Sequence, residues 1–123
     1  MKVIIGLFTF ILFFVFPSSI FAQVVINEVS PVSDPEWVEL YNTSTNEVSL
    51  KDYLINFGSD TQNKLFCDND KLGSNEYKLI ILTSNWLSNT GDLVTLKKGD
   101  DIVDSIGYGT GYTLGKPVST GSI

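Results

Sequence analysis

LVTLKKGDDIVDSI (93–106) is the stretch whose reading decides the fold. Two runs rich in Val, Leu, Ile and Thr flank Lys97-Lys98-Gly99-Asp100-Asp101. Residues of that kind suit a pleated, half-buried strand. Gly99 supplies the positive φ that a tight hairpin loop requires. The stretch therefore predicts a β-hairpin.

The same signature repeats outward from it. VVINEVS (24–30), EWVELYN (36–42), VSLKDYLINF (48–57), YKLIILT (77–83), GDLVTLKK (91–98) and DIVDSIGYG (101–109) read as strands, with KLFC (64–67) as a shorter seventh. Turn clusters separate them: SPVSDP, NTSTNE, GSDTQN, DNDKLGSN and KKGDD. No window of eleven or more residues carries a 3.6-residue apolar period, and TSNWLSNTG (83–91) holds room for only a turn or two of helix. Seven short strands with turn signals between them predict an antiparallel β-sandwich of immunoglobulin type. The Cys–Trp–Cys pattern of antibody domains is absent.

The first 22 residues stand apart. Met1-Lys2 is followed by VIIGLFTFILFFVF (3–16) and then PSSIFA (17–22), the layout of a secretory signal peptide cleaved after Ala22. Fourteen residues of helix reach about 21 Å, short of a hydrocarbon layer about 30 Å thick. The expected relation to the membrane is thus through the signal peptide alone. The mature chain, 23–123, keeps seven of the eight lysines and all 14 acids. It has neither arginine nor histidine, and so lacks the bidentate reader of guanine and the usual phosphate fork. Its negative field opposes a polyanion, and no direct nucleic-acid binding is expected. The single cysteine, Cys67, allows no internal disulfide, and its place beside Leu65 reads as a small buried hydrophobe.

PEWVELYNTS (35–44) places acids beside aromatics, as a sugar-cleaving or sugar-binding site would. Glu36 and Glu39 are three apart on a strand and leave on opposite faces, so they cannot act as a glycosidase pair. Period two puts Val38 and Leu40 in the core and Trp37 and Tyr41 on the outer or edge face. There they are either covered by a loop or form a ligand platform, with Trp86 as a third aromatic. Asn42-Thr43-Ser44 matches the N-glycosylation pattern and reads more simply as an Asx or Ser/Thr turn after a strand. Without histidine, neither Ser–His–Asp nor Cys–His catalysis can be assembled, and no catalytic residue is expected.

CDNDKLGSNE (67–76) invites a calcium reading. Asp68, Asp70 and Gly73 fit positions 1, 3 and 6 of an EF-hand loop, but Leu72 and Leu79 stand where oxygen ligands are required. A looser Ca²⁺ site from Asp68, Asp70 and Glu76 is the metal candidate; otherwise no cofactor is expected. Asp104 shares an apolar phase with Ile102 and Ile106. A carboxylate there requires backbone N–H partners or a bulged strand, so Asp104 is expected to pin a neighbouring turn.

Taken together, VVINEVSP (24–31), EWVELYNTS (36–44), VSLKDYLI (48–55), GSNEYKLIIL (73–82) and NTGDLVTLKKGDDIVDSIGYG (89–109) resemble the lamin-tail domain family, in order and spacing. That resemblance implies an immunoglobulin-like sandwich. The signal peptide excludes a nuclear filament setting and points to the secreted prokaryotic type, accessory modules in exported proteins. Such domains finish with a further strand after the Gly/Ser-rich segment. The sequence stops at Ile123 without it, which implies a fragment of a longer protein or a domain lacking an edge strand. The expected function is an exported, secreted or cell-surface (periplasmic) non-catalytic module that presents a β-sandwich to a protein or a cell-surface polysaccharide. The alternatives are an accessory domain of a longer exported hydrolase or nuclease-like protein, a carbohydrate-binding module using Trp37, Tyr41 and Trp86, and a Ca²⁺-stabilised adhesin domain.

Overall fold

The computed structural model describes residues 22–58, 62–83 and 85–110. The expected signal peptide before Ala22 and the Gly/Ser-rich tail after Thr110 lie outside the described residues. Among these residues nine strands follow one another: β1 (Val24–Ser30), β2 (Trp37–Asn42), β3 (Val48–Ser49), β4 (Tyr53–Phe57), β5 (Asn63–Leu65), β6 (Lys71–Leu72), β7 (Tyr77–Ile81), β8 (Gly91–Lys98) and β9 (Asp101–Gly109). They form a three-stranded sheet in the order β1-β2-β7, a four-stranded sheet in the order β5-β4-β8-β9 and a small β3-β6 ribbon. Every pairing is antiparallel. This is an all-β, immunoglobulin-like sandwich. Among the described residues no helix is long and apolar enough to cross a membrane.

The core lies between the two larger sheets. Val24, Ile26, Val29, Val38, Leu40 and Ile80 come from one sheet, and Ile55, Phe57, Val94, Leu96, Ile106 and Tyr108 from the other. Burying a side chain of this size stabilises by about 1.5–3 kcal/mol, which is what holds two short-stranded sheets together without a disulfide. The β8–β9 hairpin turns at Gly99-Asp100 with Lys98 opposite Asp101. Gly99 has φ +60°, the value a II′ turn demands of its first central residue. Its N–H donates to the Asp52 carbonyl at 3.0 Å, tying the hairpin tip to the β3–β4 turn.

Three local expectations are corrected. The run 48–57 is not one strand. Lys51-Asp52 form a turn closed by the Tyr53 N–H on the Leu50 carbonyl at 2.9 Å. That turn moves the chain from the β3-β6 ribbon to the four-stranded sheet. DNDKLGSN is not all loop, because Lys71–Leu72 pairs with β3 and Leu72 is fully buried. Cys67 is exposed. Its N–H donates to the Asp70 carboxylate at 2.8 Å in a turn that lifts the residue off the core.

β9 breaks its own alternation. Leu96 faces Asp104 but the next residue, Lys97, faces Ile102, leaving Val103 as the extra residue of a bulge. Ile102 is therefore turned out to solvent, 66 % exposed, and does not share the core face with Ile106. Val103 packs against the core in its place.

Candidate interaction surface

β2 carries Glu36, Val38, Leu40 and Asn42 in one phase, counting the residue that leads into it. All four are buried. Val38 and Leu40 fill the middle, and the polar residues at the two ends are clamps. At one end Glu36 Oε2 accepts the backbone N–H groups of Trp86 and Leu87, each at 2.9 Å. At the other, Asn42 Nδ2 donates to the carbonyls of Asn46, Leu72 and Gly73 at 2.7, 3.0 and 2.9 Å. Asn42 Oδ1 accepts the Ser44 N–H and hydroxyl, the Asx turn of NTS. With its amide so occupied and no exposed surface, Asn42 cannot receive a glycan in the folded chain. Sequence reasoning missed both clamps, although the period-two phase that buries Val38 and Leu40 includes them.

Asp104 serves a third clamp. Its Oδ2 accepts the Ile26 N–H at 2.8 Å, so it ties β9 to β1. The bond falls beside a register shift in β1 between Ile26 and Glu28. The β1/β9 side of the sandwich is thereby stitched, sheet to sheet.

The β7/β5 side is different. β7 and β5 are the free edges of their sheets among the described residues. Between them runs a groove of about 190 Å³ lined by Lys64, Phe66, Asp70, Lys78, Leu79 and Ile81 among others. Lys78, the charge that would ordinarily protect such an edge, is held at 3.5 Å by Asp70. The outward phase of β7 is Tyr77, Leu79 and Ile81, exposed by 55, 49 and 52 %. Tyr41 joins this stripe from β2, its ring stacked on Tyr77 at 4.4 Å and its hydroxyl donating to Asn75 Oδ1 at 3.3 Å.

The three aromatics expected to form one platform are therefore not together. Trp37 is buried outside the packed core, opposite Ile81. Tyr41 lies at the far end of β2, about 13 Å away at strand rise. Trp86 sits past the near end, where Glu36 holds its backbone, with its ring edge-on to Phe57 at 5.3 Å and 79°.

Asp68, Asp70 and Glu76 do not converge either. Among the described residues no group of three acids, cysteines or histidines could hold a metal. The Asp70 carboxylate serves the Cys67 N–H and Lys78, and Glu76 Oε2 accepts the Gly73 N–H in its own turn. Burial pushes the Tyr53 phenol above the usual tyrosine value, with Lys98 Nζ 5.3 Å from the ring centre.

Among the described residues the immunoglobulin-like sandwich thus has clamped strand ends, one stitched side and one open edge. The model of the lamin tail domain matches residues 17–110, and the chain belongs to that family, a non-enzymatic family of immunoglobulin-like domains. A comparison with curated proteins returned no match.

Proposed function

We propose that this chain is an exported, non-catalytic interaction module of the secreted prokaryotic type, and that its open β7 edge receives an extended peptide segment of a protein partner. The observation that carries the reading is the uncharged stripe Tyr77, Leu79 and Ile81 on an edge strand, extended by Tyr41. An edge strand offers a row of unpaired N–H and C=O groups, and strand addition satisfies them while alternate side chains select the sequence. Glu39 lies within the same face, opposite Leu79, and the chain carries a net charge of −6. Both favour a segment that alternates apolar with basic residues. Export rests on the leader-like first 22 residues.

The test is binding of the labelled chain to intact cells of its source. Leu79→Lys and Ile81→Lys each place a charge on a half-exposed position and leave the core alone. Each is expected to weaken binding by about tenfold, the worth of roughly 1.4 kcal/mol. Ile102→Lys changes a still more exposed residue on the stitched side and leaves binding unchanged. Equal losses in all three variants, or none, would sink the reading.

A further inference from the structure

One end of the sandwich holds a cleft of about 460 Å³ between the start of β8 and the end of β4, lined among others by Gln62, Asn85, Trp86, Asn89 and Asp92. A second depression of about 250 Å³, which includes Asp34, shares Asn85 and Asn89 with it. The loop between them, 85–89, is held far more firmly than a connection between β7 and β8 requires. Glu36 takes two of its N–H groups, at Trp86 and Leu87. Asp92 Oδ2 takes a third, at Ser88, at 3.3 Å. The Tyr108 hydroxyl donates to the Ser88 carbonyl at 2.8 Å. Asn85 is kept at φ +69°, a conformation that costs a non-glycine residue energy. Side chains from three separate segments are thus buried to fix one short loop.

What the loop presents is specific in kind. The Trp86 ring is half-buried, its orientation fixed by Phe57. Among the described residues, no partner is bonded to the side-chain amides of Gln62, Asn85 or Asn89. Each amide offers a carbonyl acceptor and two N–H donors, which match adjacent hydroxyl groups. Two of the acids are already used: Asp92 Oδ1 accepts the Leu93 N–H at 2.8 Å, and Glu36 is the loop clamp, which leaves Asp34 as the acid of the second depression. Among the described residues no lysine lines either depression.

We infer that this cleft binds a neutral saccharide, with a sugar face against the Trp86 indole and the amides of Asn85, Asn89 and Gln62 on its hydroxyls. An anionic sugar meets no cation among the described residues there and a net negative chain. A prearranged loop loses little freedom on binding, so few contacts suffice for measurable affinity. The site is separate from the β7 edge and does not depend on it.

The experiment titrates the full chain, as exported, with chitopentaose, cellopentaose and mannopentaose as neutral probes and polygalacturonate as the anionic one, read by calorimetry and tryptophan fluorescence. At least one neutral probe is expected to bind and to change the fluorescence of a Trp37→Phe variant, whose remaining tryptophan is Trp86. Asn85→Gly with Asn89→Ala removes two amides while glycine keeps the backbone conformation, and is expected to weaken that binding by about tenfold with the melting temperature retained. Leu79→Lys, which tests the peptide edge, leaves it unchanged. Absence of binding by all three neutral probes up to about 5 mM, equal binding of polygalacturonate, or indifference to the double substitution would each overturn the inference.

Discussion

At the scale of the residue, the structure turns on polar side chains buried in strand phase. Glu36 and Asn42 bracket Val38 and Leu40, and each spends its polar atoms on backbone groups of a distant loop. A buried N–H left without an acceptor costs about 1–3 kcal/mol. Glu36→Ala orphans two, so the chain should lose about 2–4 kcal/mol in equilibrium urea unfolding, and Glu36→Gln, which keeps an acceptor, should lose less than half of that. Asn42→Asp should be worse than Asn42→Ala, because a carboxylate would face three carbonyls that now receive N–H donors. If Glu36 and Asn42 were surface groups, all four variants would unfold with the parent. Tyr53 gives a pH signature. Its phenol titrates higher folded than unfolded, because burial disfavours the phenolate. The folded state therefore holds the proton more tightly, and stability falls as pH rises beyond the unfolded value of about 10. A Tyr53→Phe variant should lose that part of the alkaline decline in melting temperature, the lysines remaining common to both. The inward phase of PEWVELYN was readable, and it marks Glu36 and Asn42 as buried. What they bond was not, since Trp86 lies fifty residues away from Glu36 in sequence.

At the scale of the element, legibility followed length and local chemistry. The β8–β9 hairpin was plain because alternation and Gly99 agree over a long stretch. β6 was invisible because two residues carry no period; its pairing with β3 and the burial of Leu72 are tertiary facts. VSLKDYLINF reads as one strand because nothing in Lys51-Asp52 forbids extension; the chain turns there because its two halves belong to different sheets. The β9 bulge was half readable. Asp104 on an apolar phase announced either a backbone partner or an irregularity, and the strand has both. Gly99 supplies the test of the hairpin. A Cβ there meets nothing within 4 Å, so any cost of Gly99→Ala is backbone strain alone. At φ +60° that cost should be about 1 kcal/mol, measured by urea unfolding, with Gly99→Asn costing less because asparagine tolerates this region. A loss several times larger would mean that the turn is not the one described.

At the scale of the whole molecule, the sandwich is asymmetric about its strands. On one side β9 is tied to β1 through Asp104 and Ile26; on the other, β7 and β5 stand apart over a groove. With a single cysteine the sheets are held together by packing and such ties, while among the described residues the β7 edge is left available. The cleft at Trp86 lies at a third place, the loop end that Glu36 organises, which is why Trp86 could not join Tyr41 in a single platform. The asymmetry has a measurable consequence for local opening. Backbone amides exchange with solvent water at rates set by the free energy of the opening that exposes them, and strand edges open most easily. In the parent chain, amides of β1 near Ile26 should exchange more slowly than the outward amides of β7, although both strands are outermost in the same sheet. Asp104→Ala removes the tie without touching β7. Exchange at β1 should then accelerate towards the β7 rate while β7 itself changes only by the global loss of stability. Were β1 and β7 to accelerate in equal proportion, the sandwich would be opening as one unit, and the division into a stitched side and an open one would not describe how this molecule moves.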